Sequence, residues 1–353
     1  MYDAMSNSTN SSYSTDYRFY FYTQLATGIC LAILSPLTIT SNVLLLLTIF
    51  KDPLRCFRAP ATYFIVALAS VDLATGLLVE PFFIVYRVAR YEKWSSAPGE
   101  PYRTLQQFGV WLSYVGLNAS FLLVLGLILT QYIAITYPHH YRSEVTTRRV
   151  LACVGFSLVY FTGFILLQFV VVPKEILLQV DLHLHSTLIT ILLILSSAML
   201  LRSFRRFANE SRRLGGLRNL ENRVEDGFAG KPPTNRISEK QFTIVTLILS
   251  GILIVCSLPH LITVHLKFYT EQETQQERLD LSAALTIADE MMFVKVALDG
   301  FIYAWRLTKY RRSLKLVLTC RSNQVTSETT EVRTMENFTV KWKSLERLRG
   351  VKC

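Results

Sequence analysis

Lys295 and Asp299 stand four residues apart in a stretch that is otherwise apolar from about residue 282 to 305. On a helix that spacing puts both on one face, so an ammonium and a carboxylate can pair away from water. Asp289 and Glu290 lie toward the start of the same stretch, and Asp72 and Glu80 lie in another, near residues 61–86. Glu80 with Asp289 or Glu290 would make an acidic cradle for a cationic or peptide ligand. An equally available reading leaves those carboxylates in water at the headgroup boundary, and a second reading of Lys295 has it neutral or facing another helix. Other chemistry is poorly supplied. No nucleophile stands beside a base, and no phosphate loop or catalytic carboxylate pair is present. His139, His140, His183 and His185 read as interfacial polar residues rather than metal ligands. Neither an enzyme, a metal site nor a cofactor is expected.

These residues must be positioned by helices in a bilayer. Seven apolar stretches, near 24–50, 61–86, 105–135, 148–172, 185–204, 241–268 and 282–305, are each about long enough to cross one, which takes roughly 20 residues. With 51% hydrophobic residues and only 18% charged, the chain has too few charges to coat a soluble domain of 353 residues. The expected fold class is an all-α membrane protein, a seven-transmembrane-helix bundle. Its parts would be a tail over 1–23, the bundle over 24–305, a short amphipathic eighth helix over 306–320, and a second tail over 321–353. One side of this topology collects 28 Lys and Arg residues and the other 8, which places the N-terminus outside and the C-terminus in the cytoplasm. The net charge of +11 then belongs to lipid headgroups and a cytoplasmic partner, with no nucleic acid implied. Asn7 and Asn10 begin glycosylation sequons on the outer side. All six cysteines fall in helices or on the inner side, so no outer disulfide is expected. The first 20 residues hold no basic region followed by an apolar run, and the first helix is expected to direct insertion itself.

Short motifs then occur in order. Ser41-Asn42-Val43-Leu44, Arg58-Ala59-Pro60-Ala61-Thr62-Tyr63-Phe64, Leu68-Ala69-Ser70-Val71-Asp72-Leu73, Cys256-Ser257-Leu258-Pro259 and Asp299-Gly300-Phe301-Ile302-Tyr303-Ala304-Trp305-Arg306 resemble the signatures of rhodopsin-like G-protein-coupled receptors. The resemblance covers roughly residues 20–320. It implies a plasma-membrane receptor that binds an extracellular ligand, a heterotrimeric G protein and also arrestin. It further implies an activation cluster of Asn42, Asp72, Ser120, Lys295, Asp299 and Tyr303, with Lys295 standing where many relatives hold a sodium ion. A ligand region would comprise Glu80, Ser113, Tyr114, Asp289 and Glu290, a transducer-facing set Thr130, Gln131 and Tyr132, and a hinge in the sixth helix Ser257 and Pro259.

The departures are specific. Thr130-Gln131-Tyr132 stands where the family has Asp-Arg-Tyr, and the lost guanidinium fork puts coupling in question. Ser257 replaces a tryptophan, Gly300 replaces a proline, and the fifth segment lacks proline. Gln106 occupies the usual disulfide position, and with Asp299 these absences are similar to the melanocortin-like branch. Ser113 replaces the aspartate that holds amines in amine receptors, and Phe293 replaces the opsin lysine, so neither an amine held in the usual manner nor a photopigment is expected.

Toward the inner face, Gly215-Gly216 and Lys231-Pro232-Pro233 are expected to interrupt the connection between the fifth and sixth helices. Beyond the seventh helix, Tyr310, Leu314, Val317 and Leu318 lie near one side of the eighth and basic residues on the other, with Cys320 placed for lipidation. The reading is a receptor acting by population shift. Its alternative is a coupling-deficient seven-helix protein that binds a ligand as a scavenger or scaffold.

Overall fold

A computed structural model describes residues 2–54, 57, 59–92, 98–169, 173–221 and 234–319. Side chains of residues 2–17, 211–221 and 234–239 and of Arg142, Gln168 and Lys174 lie outside the description, as do Cys320 and the tail over 321–353. The expected sequon asparagines Asn7 and Asn10 fall in the first of these sets, and Lys231-Pro232-Pro233 lies outside the described residues altogether.

Among the described residues, seven long helices form the bundle. They are α1 (Tyr2–Lys51), α2 (Thr62–Glu92), α3 (Glu100–Thr136), α4 (Thr147–Leu166), α5 (174–221), α6 (Thr234–Tyr269) and α7 (Gln275–Arg306). Spans within the first six are long and apolar enough to cross a membrane, beginning with Arg18–Lys51 in α1. The seventh matches them in length and carries Asp289, Glu290, Lys295 and Asp299 along its middle. A short helix, Pro138–Glu144, follows α3, and α8 (Thr308–Leu318) follows α7.

Packing closes a ring in which α1 lies against α2 and α7, α7 against α6, and α6 against α5. Near its centre α3 touches α2, α4, α5 and α6. That central place explains its buried run from Asn118 to Ser120 and on to Ile128, Thr130 and Gln131. Close approach is permitted by glycine. A Cβ on Gly126 of α3 would meet the Phe64 ring of α2 at 2.8 Å, and one on Gly300 of α7 would meet Ser41 Cβ of α1 at 2.7 Å. Gly300 therefore lets α7 lie directly on α1 where the resembled family has a proline.

Three boundaries of α4 and α5 differ from expectation. The apolar span of α5 begins at Glu175 rather than 185, because Asp181, His183 and His185 interrupt the apolar run without interrupting the helix. At its other end α5 runs to Glu221 through Gly215-Gly216, since each glycine costs a helix only about 1 kcal/mol and does not forbid it. Meanwhile α4 ends at Leu166, six residues short of the expected 172.

Two helices loosen locally into π-helix, Thr75–Val79 in α2 and Asp181–Leu188 in α5. Each extra residue per turn rotates the remainder of the helix about its axis, a device common at functional sites. In α5 this irregularity arises without a proline, which residues 174–221 lack. Lys309, Arg311, Arg312 and Lys315 of α8 lie at or near the surface, while Tyr310, Ser313 and Val317 are buried. Tyr310 meets Phe57 edge to face at 6.4 Å. Leu318, expected on the apolar side, is 61% exposed.

Candidate functional site

Buried polar groups and cavities lie within the described bundle. At the end where α3 and α7 begin, which the charge bias leads one to expect outside, a cavity of about 610 Å³ opens between α3, α5, α6 and α7. Ser113, Tyr114, Asn118, Asp181, Ser257, His260 and Asp289 contribute to its polar lining. The size is that of a small-molecule pocket. Asp289 accepts from His260 Nδ1 at 2.7 Å, which ties α7 to α6, and both side chains are about one-third exposed. Asp181 and His185, one turn apart in the π-helical part of α5, pair at 3.0 Å. On its other nitrogen His185 meets Tyr160 of α4 at 2.9 Å, and Phe161 and Phe164 enclose its ring. His185 is thus a buried tie between α4 and α5, not the interfacial residue expected.

Of the expected ligand residues, Ser113, Tyr114 and Asp289 line this cavity; Glu80 and Glu290 do not. Glu290 turns toward α2, where its Oε2 lies 2.5 Å from Arg87 Nη1, and Arg87 is itself buried and stacked on Phe83. Glu80 is fully buried and accepts from Thr38 Oγ1 of α1 at 3.2 Å. The expected acidic cradle does not form, because Glu80 and Glu290 face α1 and α2 rather than the cavity. Arg87 supplies the charge that makes burial of Glu290 tolerable.

Deeper in the bundle, Lys295 Nζ lies 2.7 Å from Asp299 Oδ2, and both side chains are 1% exposed. Asp72 of α2, also buried, is within electrostatic reach of both. Asn42, Ser120 and Tyr303 are buried as well. Asn42 Nδ2 donates to the Thr38 carbonyl, while Asn42 Oδ1, both Asp72 oxygens, Ser120 Oγ and Tyr303 OH have no protein hydrogen-bond partner. Such atoms, on α1, α2, α3 and α7, are ordinarily satisfied by ordered water. One ammonium here stands before two carboxylates.

Toward the inner end, Gln131 Oε1 accepts from Thr243 Oγ1 of α6 at 3.3 Å, and Thr130 Oγ1 donates to the Gly126 carbonyl. Tyr132, half-buried, packs beside Tyr137 at 6.5 Å. A smaller cavity of about 200 Å³ is lined by Gln131, Ala134, Tyr141, Gln241, Phe242 and Leu307 among others. Beside the larger cavity α6 carries Pro259, whose missing N–H leaves the Val255 carbonyl without its helical donor. Ser257 Oγ donates to the Ile254 carbonyl one turn back.

Arg87, Asp181 and His260 are members of these polar groups that the sequence does not single out. The available signal is the rarity of charged and imidazole groups inside apolar stretches, which applies to them as it does to Lys295.

Residues 41–176 match the family model described as "7 transmembrane receptor (rhodopsin family)". A 5-hydroxytryptamine receptor of Drosophila melanogaster is 36% identical over 103 residues, 29% of this chain and 17% of the relative. A muscarinic acetylcholine receptor of the same species is 28% identical over 155 residues, 44% of this chain and 18% of the relative. A tyramine receptor of Locusta migratoria is 34% identical over 137 residues, 36% of this chain and 25% of the relative. The chain thus spans a quarter or less of the length of these curated relatives. The family match runs from the end of α1 into the start of α5, through Asn42, Asp72 and the inner end of α3. From the end of α1 to the start of α5, the chain is thus similar to the rhodopsin family of seven-transmembrane receptors.

Proposed function

We propose that this chain is a plasma-membrane receptor, N-terminus outside, that binds an extracellular ligand bearing a positive group in the outer cavity and activates a heterotrimeric G protein at its inner face. The observation that carries the reading is the placement of Asp289. It is a partly exposed carboxylate on the cavity wall, held by His260, in a site where Ser113 leaves α3 without the usual amine partner. Relatives named for 5-hydroxytryptamine, tyramine and acetylcholine bind small cations, and here Asp289 and Asp181 offer the counter-charge from α7 and α5 instead.

Transmission runs through α6. Ligand drawn to Asp289 competes with His260 of α6, and Pro259 beside it lowers the cost of bending. The inner half of α6 is held to α3 by the Thr243–Gln131 hydrogen bond, and its release would widen the inner cavity toward a transducer. Arrestin would meet the same inner face, and lipid headgroups the basic side of α8. Lys295 serves as a resident cation between Asp72 and Asp299.

The test is Asp289→Asn, with tyramine, octopamine, serotonin, histamine and acetylcholine as probes in membrane binding assays. Loss of a charge-assisted hydrogen bond costs about 1.5–3 kcal/mol, or roughly 10- to 150-fold in affinity for whichever probe binds. Unchanged affinity at equal expression would remove Asp289 from the site. The alternative, a seven-helix scavenger or scaffold, draws on Gln131 in place of arginine; it requires ligand binding without any G-protein response.

A further inference from the structure

At the outer ends of α5 and α6, apart from the cavity lining and from the Asp181–His185 pair, two histidines face one another. His183 of α5 and His265 of α6 have ring centres 6.0 Å apart at an interplanar angle of 64°. His183 is exposed and His265 half-buried. Each presents its Nδ1 to the backbone carbonyl one turn earlier on its own helix, Gln179 O for His183 and Leu261 O for His265, both at 2.8 Å. A carbonyl only accepts, so Nδ1 carries the proton in both rings and the lone pair of each neutral imidazole is on Nε2. That is the arrangement by which proteins orient imidazoles toward a metal ion, with the far nitrogen donating to a backbone carbonyl.

A hydroxyl that can be displaced occupies His183 Nε2, while His265 Nε2 has only a long contact to Thr187 Oγ1, whose proton goes to the Leu182 carbonyl at 2.7 Å. Tyr269 OH lies 2.7 Å from His183 Nε2, and Thr187 Oγ1 lies 3.4 Å from His265 Nε2. Tyr269 stands 6.0 Å from the ring of His183 and 6.2 Å from that of His265, so its hydroxyl borders the space between them. An ion binding both Nε2 atoms tetrahedrally at about 2.0–2.1 Å requires ring centres roughly 5 Å apart. Closing the gap from the observed 6.0 Å takes about 1 Å of side-chain movement, within the reach of side chains at helix ends.

We infer that His183 and His265 form a two-histidine site for a divalent transition-metal ion, zinc or copper, that bridges α5 to α6 at the outer rim of the bundle. Imidazole suits these ions and gives magnesium and calcium no comparable advantage. No group of three or more His, Cys, Asp and Glu side chains suited to a metal occurs among the described residues. Water completes the coordination shell. Such a site is therefore open and exchangeable rather than structural. Because its two ligands sit on different helices, bound metal favours whichever arrangement keeps the outer ends of α5 and α6 together.

The experiment uses the full chain in lipid nanodiscs, purified through a tag without histidine. Two readings are taken: thermal unfolding against ZnCl2 with MgCl2 as control, and the nitrogen hyperfine pattern of one equivalent of Cu²⁺. Zinc should raise the unfolding temperature where magnesium does not, and copper should show two equivalent imidazole nitrogens. His183→Gln and His265→Gln should each weaken the zinc response roughly 10-fold or more and reduce the copper signal to one nitrogen. Tyr269→Phe should keep both responses, because it removes a competitor for His183 and no ligand. His139→Asn with His140→Asn should also leave both unchanged. The inference is overturned by absence of a zinc response in the parent, by a response that persists in both single histidine variants, or by a response lost with the His139 and His140 pair. Should a glutamine variant fail to fold, the copper pattern of the parent decides: two equivalent imidazole nitrogens support the site, and one or none refutes it.

Discussion

Replacing Lys295 by methionine should destabilise the bundle severely, and the size of the effect can be worked from the geometry. The ammonium lies 2.7 Å from Asp299 Oδ2 with both side chains 1% exposed, and Asp72 is buried within electrostatic reach. At an effective dielectric of about 20, opposite unit charges at that separation attract by about 6 kcal/mol. Part of this is offset by the cost of taking the ions out of water, and breaking one partner of a buried pair typically costs about 3–5 kcal/mol. That is roughly two to three and a half orders of magnitude in the folded population, against total stabilities of about 5–15 kcal/mol. Methionine keeps the stem's volume and packing, so the loss reports the charge. Lys295→Met should show low surface expression and a lowered unfolding temperature in detergent. Lys295→Asn with Asp299→Asn should recover both, since a carboxylate leaves along with its counter-ion. A Lys295→Met chain as stable and as well expressed as the parent would refute the claim that the ammonium neutralises this cluster.

Gln131→Arg should raise G-protein activation at equal surface expression. It removes the acceptor for Thr243 Oγ1 and adds a guanidinium fork at the inner cavity. Thr243→Val, which deletes the bond without adding charge, should give a smaller rise, and no change in either variant would show that the bond does not restrain α6. Gly300→Ala should cost about 1–3 kcal/mol by overpacking, because its Cβ would lie 2.7 Å from Ser41 Cβ and 3.0 Å from the Ser41 carbonyl carbon. Thermal unfolding of the purified chain measures this, and an unchanged midpoint would mean that α1 and α7 separate freely.

Seven helices are legible in sequence because a bilayer demands about 20 apolar residues per crossing, a constraint strong enough to survive every departure from the family's motifs. Lys295 and Asp299 are legible for a related reason: charges at a spacing of four inside an apolar run leave few alternatives to pairing. Glu80 and Glu290 are not, because helices apolar on most faces carry little periodic signal to fix which side a carboxylate takes. A rotation of one residue, about 100°, decides between cavity and neighbouring helix. For Glu290 the deciding partner, Arg87, is 203 positions away. The polar run Asp181, His183 and His185 conceals the outer part of α5, and the π-helical turn there divides its side chains between cavity, α4 and α6. In sequence Gly300 is only a missing proline; its close approach to Ser41 belongs to two helices at once and to neither alone.

Signalling through a G protein by a bundle that lacks the arginine at the inner end of α3 can be measured with dissociation sensors for each G-protein subtype, in cells expressing the full chain at graded surface levels. At least one subtype should dissociate in proportion to surface level, basally or with one of the five amine and choline-ester probes, and Gln131→Arg should steepen that slope. Silence from every subtype in both chains, with surface expression intact and a probe bound, would contradict this and leave the scavenger or scaffold reading in its place.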